Sequence, residues 1–185
     1  LSRMKYIDRW ALMRNSCTEN ICEHSLEVAM IAHMLCVIGN KRFGKNLDGS
    51  RAALIGMYHD TTEIITGDMP TPIKYYNPEI KKAFKDIEDT AARNLLSLLP
   101  EDMQADYFDI FFPDEKEAYL HRLVKAADKL SALIKCIEEA KTGNKEFVSA
   151  QATLKQSIDE MHLEEADEFM KDFLPSYSLT LDELR

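Results

Sequence analysis

The sequence has little cysteine, glycine or proline and no excess of positive charge. Its 185 residues include four cysteines, six glycines, six prolines and one tryptophan. The cysteines form no C-x-x-C pair, which argues against zinc-finger and disulfide frameworks and predicts a reducing, cytoplasmic compartment. Lysine and arginine number 23 against 32 aspartates and glutamates, giving a formal net charge of −9. Polymeric nucleic acid and anionic membranes are therefore not expected as partners, because both select clustered positive charge.

Long hydrophobic runs and regular alternation are also missing. The longest nearly apolar run, 28–38, is too short to span a bilayer. The chain begins with Leu1, and its first ten residues contain no apolar segment of the signal-peptide type. Sustained period-2 alternation, internal repeats and the motifs G-x-G-x-x-G, H-E-x-x-H and G-x-S-x-G are absent. We therefore expect no sheet, dinucleotide-binding loop or serine nucleophile.

Apolar residues at helical spacing are present along almost the whole chain. We predict an all-α fold in which Asp48 or Ser50 caps one helix and Asn77, followed by Pro78, caps another. The stretch 39–49 is a predicted loop, and 67–72 is the least helical part. The predicted helices cover 3–13, 23–38, 52–60, 78–99, 114–141 and 146–173.

An adjacent histidine and aspartate, His59 and Asp60, end one predicted helix. Such a pair alone is often an exposed helix end. Glu63 follows three and four residues later and shares a helical side with both if the helix continues. Asp68 then opens the proline-containing turn. The pair therefore lies in an acidic neighbourhood.

A second acidic residue, Asp128, lies at the edge of the apolar stripe of the helix predicted over 114–141. A carboxylate there is costly unless it is paired or bound to a metal. One interpretation is an ion pair with Lys125 or Lys129, and the other is a ligand role.

Two histidines, His24 and His33, lie on the helix predicted over 23–38. Nine residues separate them, which places them on opposite faces, so only one can readily face a given metal site. His33 is surrounded by Met30, Met34 and Val37, which favours a core histidine, whereas His24 is next to a polar turn. Periodicity alone does not decide between them.

Two imidazoles with two carboxylates make a mixed nitrogen and oxygen site. Such a set suits Mn, Fe, Co, Ni or Zn better than calcium. A metal of this kind lowers the pKa of a bound water and offsets the charge of an anionic substrate. The residues therefore predict metal-assisted hydrolysis of a phosphate ester.

The pattern His…His-Asp…Asp on a helical chain resembles the HD-domain metal-dependent phosphohydrolases. The similarity is greater to the bacterial HD-domain 5′-deoxynucleotidases (YfbR-like) and covers nearly the whole chain. The matching stretches are Arg9-Trp10, 12–15, 18–20, 23–26, 57–60 with Glu63, 67–68, 70–72, Lys125, Ala127, Asp128 and Pro175-Ser176.

The resemblance implies one HD domain over 1–185, with a metal-site core at about 9–130 and C-terminal helices at about 145–174. It implies a homodimer that releases phosphate from deoxyribonucleoside 5′-monophosphates with one divalent metal, Co or Mn being favoured and Zn, Ni and Fe being alternatives. It implies the metal ligands His24, His59, Asp60 and Asp128.

The substrate-binding set follows from the same resemblance. Arg9 orients the phosphate, and Trp10 packs by the sugar. The nucleoside is contacted by Asp68, Met69, Pro70 and Thr71. We add Asp60 and Asp128 to the substrate-binding set as candidates to orient the attacking water.

Among the residues near the His-Asp pair, Glu63 is our candidate to move a proton, because it is close to the pair without being a ligand. Trp10 is expected to crowd the 2′ position and reject ribonucleotides.

Two alternatives stay open at this point. One is a related HD hydrolase acting on a di- or triphosphate or a signalling nucleotide, although the polar region holds few cations beyond Arg9 and Arg14. The other is a non-catalytic helical scaffold whose methionine-rich faces bind a partner.

Overall fold

The computed structural model describes residues 1–184, which form helices joined by short connections. The α-helices are α1 (Ile21–Arg42), α2 (Gly49–Tyr58), α3 (Glu63–Thr66), α4 (Thr71–Lys74), α5 (Pro78–Ser97), α6 (Gln104–Phe111), α7 (Ala118–Lys141), α8 (Val148–Asp159) and α9 (Glu164–Asp172). Short 3-10 helices cover Ser2–Tyr6, Glu101–Met103, Glu115–Glu117, Leu174–Ser178 and Leu181–Leu184. Within residues 1–184 there is no strand, so the all-α prediction is confirmed. Arg185 lies outside the described residues, and one domain over 1–185 stays a prediction.

Helices α1 and α7 form the centre of the core. Helix α1 packs against α2 and α7, and α7 packs against α8. The predicted stripe on α7 is buried at Leu123, Leu130 and Ile134, which contact the apolar side of α1. Helix α2 approaches α1 most closely at Gly56, where a Cβ atom would lie 2.9 Å from Cα of Ala29. Glycine at this position therefore allows the two helices to cross.

The helix starts follow the capping residues. Asn20 accepts hydrogen bonds from the first turn of α1 and, with Glu23, forms a capping box. Asp48 rather than Ser50 caps α2. Asn77 caps α5 ahead of Pro78, as predicted.

The predicted helix over 3–13 is wrong. Only Ser2–Tyr6 forms a 3-10 helix, and the chain then runs antiparallel to residues 19–21. The Arg9 N–H donates to the Glu19 carbonyl at 2.8 Å, and Trp10 has a φ of 58°. This pairing between residues distant in sequence overrides the local helical preference.

Helix α1 is also long and apolar enough, by length and composition, to cross a membrane. More than half of its apolar window, 56%, is buried inside the protein. Burial of this kind is typical of a core helix. The prediction that His33 is a core histidine is wrong, because His33 is exposed, whereas His24 on the opposite face is fully buried.

Candidate metal and substrate site

The His59-Asp60 pair lies in the turn that joins α2 to α3. Helix α2 ends at Tyr58, and the backbone N–H of Glu63 donates to the Asp60 carbonyl at 3.0 Å to begin α3. His59 Nδ1 lies 2.7 Å from the Gly56 carbonyl oxygen, which can only accept a hydrogen bond. This contact fixes the ring and directs Nε2 away from the helix.

Four predicted ligands converge at this point. His24 Nε2 lies 3.1 Å from Asp128 Oδ1 and 3.5 Å from Asp60 Oδ2. His59 Nε2 lies 3.2 Å from Asp60 Oδ2. Ligand atoms of His24, His59 and Asp60 all lie within 4.8 Å of one another. Helices α1, α2 and α7 and the turn after α2 thus bring together residues more than 100 positions apart.

One nitrogen in this group has no hydrogen bond. His59 Nε2 is buried and makes no hydrogen bond of acceptable geometry, although a buried polar atom normally has a partner. The donor set of two imidazoles and two carboxylates fits a divalent transition metal. Asp128 lies against His24, whereas Lys129 donates to Ser157 Oγ; this arrangement differs from the ion pair considered for Asp128.

The four side chains affect one another's protonation. Burial lowers the pKa of His24, and the Arg9 cation lowers it further. Burial also lowers that of His59, but the Asp60 carboxylate outweighs burial and raises the pKa of His59 to about 9. Burial alone would raise the pKa of Asp128, yet the His24 contact holds it well below its usual range. The site therefore holds two ionised carboxylates and a neutral His24, and a metal that bound His59 would displace the His59 proton.

Arg9 lies directly beside these ligands. Its Nη1 donates to Glu19 Oε2 at 2.9 Å, and its Nη2 lies 3.9 Å from Asp128 Oδ1. The side chain is 12% exposed. Burial disfavours its charge, but Glu19, Asp128 and Asp60 outweigh burial and raise the pKa of Arg9. A buried, oriented guanidinium next to a cation site is suited to an anionic group such as phosphate.

Trp10 and Asp68 are linked through the backbone. The Trp10 N–H donates to Asp68 Oδ2 at 3.3 Å, and the Trp10 ring packs edge-on against Phe147 with ring centroids 5.3 Å apart. The α3–α4 turn and the start of α8 therefore hold Trp10 next to Arg9.

Glu63 is largely buried near the Asp60 and Asp68 carboxylates. It is 9% exposed, and its Oε2 has no hydrogen-bond partner. Burial and the neighbouring Asp60 and Asp68 carboxylates raise the pKa of Glu63 to about 9. A carboxylic acid in this place can hold a proton at neutral pH.

The turn after α3 carries the remaining predicted residues. Gly67 ends α3 with a φ of 71°, in the left-handed region that favours glycine. Met69 and Pro70 are half-buried, and Thr71 is exposed at the start of α4. These three residues directly follow Asp68 in the sequence. Their contact with a nucleoside stays a prediction.

Four residues that contact the predicted site residues are not among those predicted from the sequence. They are Glu19 beside Arg9, Phe147 under Trp10, and Glu27 and Ser131 beside His24. The positions of two of these residues could be predicted from helical spacing. Glu27 follows His24 by three residues and Ser131 follows Asp128 by three, so each lies on the helical side of a ligand.

Comparison with known families gives the assignment. The family model for 5′-deoxynucleotidase YfbR-like proteins matches residues 1–177. This chain belongs to that family. Among its YfbR-like relatives, a 5′-deoxynucleotidase of Photorhabdus laumondii is 48% identical over 184 residues, covering 100% of this chain and 93% of the relative. A 5′-deoxynucleotidase of Vibrio cholerae is 49% identical, covering 100% of this chain and 95% of the relative.

Solved structures share the helical HD-domain fold of this YfbR-like chain. An HD-domain phosphohydrolase from Listeria innocua superposes with a TM-score of 0.83 at 22% identity, covering 95% of this chain and 85% of that one. The cyanophage S-2L HD phosphohydrolase DatZ, bound to dA and one catalytic Zn²⁺ ion, gives 0.69 at 22% identity, covering 97% of this chain and 95% of that one. Because both structures are only 22% identical to this chain, they show a shared fold and not a shared function.

Proposed function

We propose that this protein is a metal-dependent 5′-deoxynucleotidase that hydrolyses deoxyribonucleoside 5′-monophosphates to deoxyribonucleoside and phosphate. Membership of the YfbR-like family over residues 1–177 carries the proposal. The convergence of His24, His59, Asp60 and Asp128 beside the buried Arg9 supports it independently.

The metal in this proposal is held by His24, His59, Asp60 and Asp128. The orphaned Nε2 of His59 and the two ionised carboxylates fit such an ion. When bound, a divalent transition metal supplies Lewis-acid activation of water and of the phosphate. Cobalt or manganese is the expected metal, with zinc, nickel and iron as alternatives.

The substrate roles follow from position and charge. Arg9 binds the phosphate oxygens through its guanidinium, which Glu19 orients. Trp10 packs against the deoxyribose, and Asp68 with Met69, Pro70 and Thr71 faces the nucleoside. A water oxygen attacks phosphorus while the bond to the 5′-oxygen breaks, so the 5′-oxygen must gain a proton. Glu63 moves that proton, which its raised pKa allows it to hold at neutral pH.

Phosphate release tests the proposal directly. Metal-depleted protein is loaded with Co, Mn, Zn or Mg and offered deoxyribonucleoside and ribonucleoside monophosphates, di- and triphosphates. We expect turnover of the deoxyribonucleoside monophosphates, its loss in His59→Ala, and its retention in His33→Ala, which removes an exposed histidine.

Other outcomes correspond to the alternatives. Turnover only of di- or triphosphates or of a signalling nucleotide would contradict the substrate, and absence of bound metal and of any turnover would favour a helical scaffold. The homodimer and the cytoplasmic location stay predictions, and light scattering on the purified protein measures the first.

A further inference from the structure

Helix α4 is attached to the rest of the protein through one side chain. It spans Thr71–Lys74, and Lys74 is the one residue in this described range that is not exposed. The other three, Thr71, Pro72 and Ile73, are exposed. A helix of a single turn is unstable by itself, so α4 must be held by contacts with another element. That element is α5, against which α4 packs.

Lys74 makes two contacts with α5. Its Nζ donates a hydrogen bond to Glu88 Oε1 at 2.7 Å, and the two side chains are 27% and 21% exposed. The same Nζ lies 4.7 Å from the centroid of the Phe84 ring, and Phe84 is buried. Burial lowers the pKa of Lys74, but the hydrogen bond to Glu88 outweighs burial and raises it, so Lys74 keeps its charge. A partly buried ion pair that lies over an aromatic ring is stronger than an exposed one.

The backbone connects this attachment to the segment 68–71, which carries the predicted nucleoside contacts. The N–H groups of Ile73 and Lys74 donate to the Pro70 carbonyl oxygen at 2.8 and 3.1 Å. The proline rings at positions 70 and 72 restrict the φ angles of both residues. The connection is therefore short and stiff, and a displacement of Lys74 also displaces the segment before it.

Other contacts hold this part of the chain less firmly. At its start, the Trp10 N–H donates to Asp68 Oδ2 at 3.3 Å. At its end, Lys81 Nζ lies 5.6 Å from the centroid of the Tyr75 ring, and both residues are exposed. The Lys74 hydrogen bond to Glu88 is shorter than the first contact and less exposed than the second.

We propose that Lys74 and Glu88 are positioning residues that hold the segment 68–71 in the conformation that binds the nucleoside, and that they thereby increase the affinity for the nucleoside half of the substrate. The inference rests on the proposed function and deepens it, because these two residues act through the predicted nucleoside contacts. Without the ion pair, the cost of ordering the segment is met during substrate binding instead of during folding. Binding of the phosphate half, which depends on Arg9 and the metal, should not change.

Product inhibition of the full chain, loaded with cobalt or manganese, tests the proposal because it separates the two halves of the substrate. Lys74→Met and Glu88→Gln each remove the ion pair and keep most of the side-chain length. We expect the KM for a deoxyribonucleoside monophosphate, and the inhibition constant of the matching deoxyribonucleoside, to rise about 10- to 100-fold in both variants. The inhibition constant of inorganic phosphate and kcat should stay those of wild type.

Three further variants show whether the two residues act as a pair. The double variant, Lys74→Met with Glu88→Gln, should be no weaker than either single variant, because one contact is lost in all three. Lys74→Arg keeps the cation and should restore most of the affinity. Lys85→Met breaks the exposed ion pair of Lys85 with Asp89 on the same helix, and it should behave as wild type does.

The outcomes separate this proposal from the proposed function. If wild type hydrolyses deoxyribonucleoside monophosphates and both single variants keep its inhibition constant for the deoxyribonucleoside, the positioning role is overturned while the proposed function stands. A lower kcat with that constant unchanged, or an equal rise in the inhibition constant of phosphate, would overturn it too. If wild type shows no turnover with any of the metals, the proposed function is overturned and this inference with it.

Discussion

At the scale of single residues, two neighbouring acids have opposite protonation preferences. His59 lowers the pKa of Asp60, although burial alone would raise it. Glu63 has no such cation in contact, and burial together with Asp60 raises its pKa. One carboxyl group is therefore ready to act as a ligand and the other to hold a proton.

Replacement of Glu63 by glutamine should separate these roles. Glu63→Gln keeps the shape of the side chain but cannot exchange a proton, so we expect turnover to fall by at least about 100-fold. Metal stoichiometry should stay that of wild type. Steady-state phosphate release and metal analysis measure the two properties, and Glu79→Gln on the exposed start of α5 is the control. Unchanged turnover would remove Glu63 from the proton-transfer role.

The same variant should show a distinctive pH dependence of stability. The pKa of Glu63 rises from 4.5 to about 9 on folding, so its contribution is complete below about pH 4.5 and is lost as the pH rises toward 9. The loss reaches about 1.4 kcal/mol per pH unit. In metal-free protein, the unfolding free energy of Glu63→Gln relative to wild type should therefore increase between pH 5 and pH 9. Urea denaturation at several pH values measures it, and a constant difference would contradict the raised pKa.

Trp10 should control the choice between deoxyribose and ribose. Its ring is held by Phe147 and its backbone by Asp68, so it presents a fixed surface beside Arg9. We expect Trp10→Ala to reduce the ratio of kcat/KM for a deoxyribonucleotide and its ribonucleotide counterpart by about 10-fold or more. Tyr6→Ala, on the same segment but 73% exposed, should leave the ratio unchanged. An unaltered ratio in Trp10→Ala would exclude this residue as the selector.

At the scale of elements, the start of α1 bears on both stability and metal binding. The capping box formed by Asn20 and Glu23 begins the helix that carries His24. We expect Asn20→Ala to lower the free energy of unfolding by about 1 kcal/mol and also to weaken metal binding. Asn77→Ala removes the equivalent cap of α5, which carries no predicted ligand, and should affect stability alone. Equal metal affinity in both variants would show that the cap does not position His24.

The elements that the sequence predicted well are those with local signals. Caps at Asp48 and Asn77 and the apolar stripe of α7 depend on neighbours in the same helix, and the structure confirms them. The helix predicted over 3–13 does not form, because the conformation of this segment depends on a bridge between Asp8 and Asn20. The prediction for His33 is wrong for a related reason: three apolar neighbours do not reveal which face of α1 meets α7.

In the candidate site, too, some contacts follow from residue spacing and others do not. Residue spacing suggested that His59, Asp60 and Glu63 lie together, and the turn after α2 brings them together. No spacing rule connects Arg9 to Glu19 or Trp10 to Phe147, because those contacts depend on how the N-terminal segment crosses the helices. The resemblance to a family predicts the ligands, whereas the contacts of Glu27 and Ser131 with one another and with His24 depend on how α1 packs against α7.

At the scale of the whole molecule, one buried acid fastens the N-terminal segment to α7. Glu139 is 1% exposed and accepts hydrogen bonds from the backbone N–H groups of Ser16 and Cys17, from Asn144 and from Lys135. Burial alone would raise the pKa of Glu139, but these hydrogen bonds, that of Lys135 first, lower it to about 2.

Removal of Glu139 should therefore affect both stability and catalysis. Glu139→Ala leaves the buried Lys135 cation without its carboxylate and with only the Cys17 carbonyl as acceptor, and we expect a loss of about 3 to 5 kcal/mol in unfolding free energy. KM should rise because the segment that carries Arg9 and Trp10 loses its attachment. Denaturation and kinetics at low temperature measure the two effects, with the exposed Glu138→Ala as control. If Glu139→Ala folds and keeps the KM of wild type, the attachment by Glu139 does not position Arg9 and Trp10. Asn144→Ala, which removes one donor only, should produce a smaller change in the same direction.

The bridge between Asp8 and Asn20 has a consequence for ligand affinity. Together with the Arg9–Glu19 contacts, it restricts the backbone and the side chain of Arg9 before any ligand arrives. A long side chain loses up to about 2 kcal/mol of rotational freedom when it is ordered. Here that loss occurs during folding rather than during association, so the guanidinium is preorganised. A ligand with a single phosphate can then bind without ordering a flexible arm, even on a protein whose overall charge repels it.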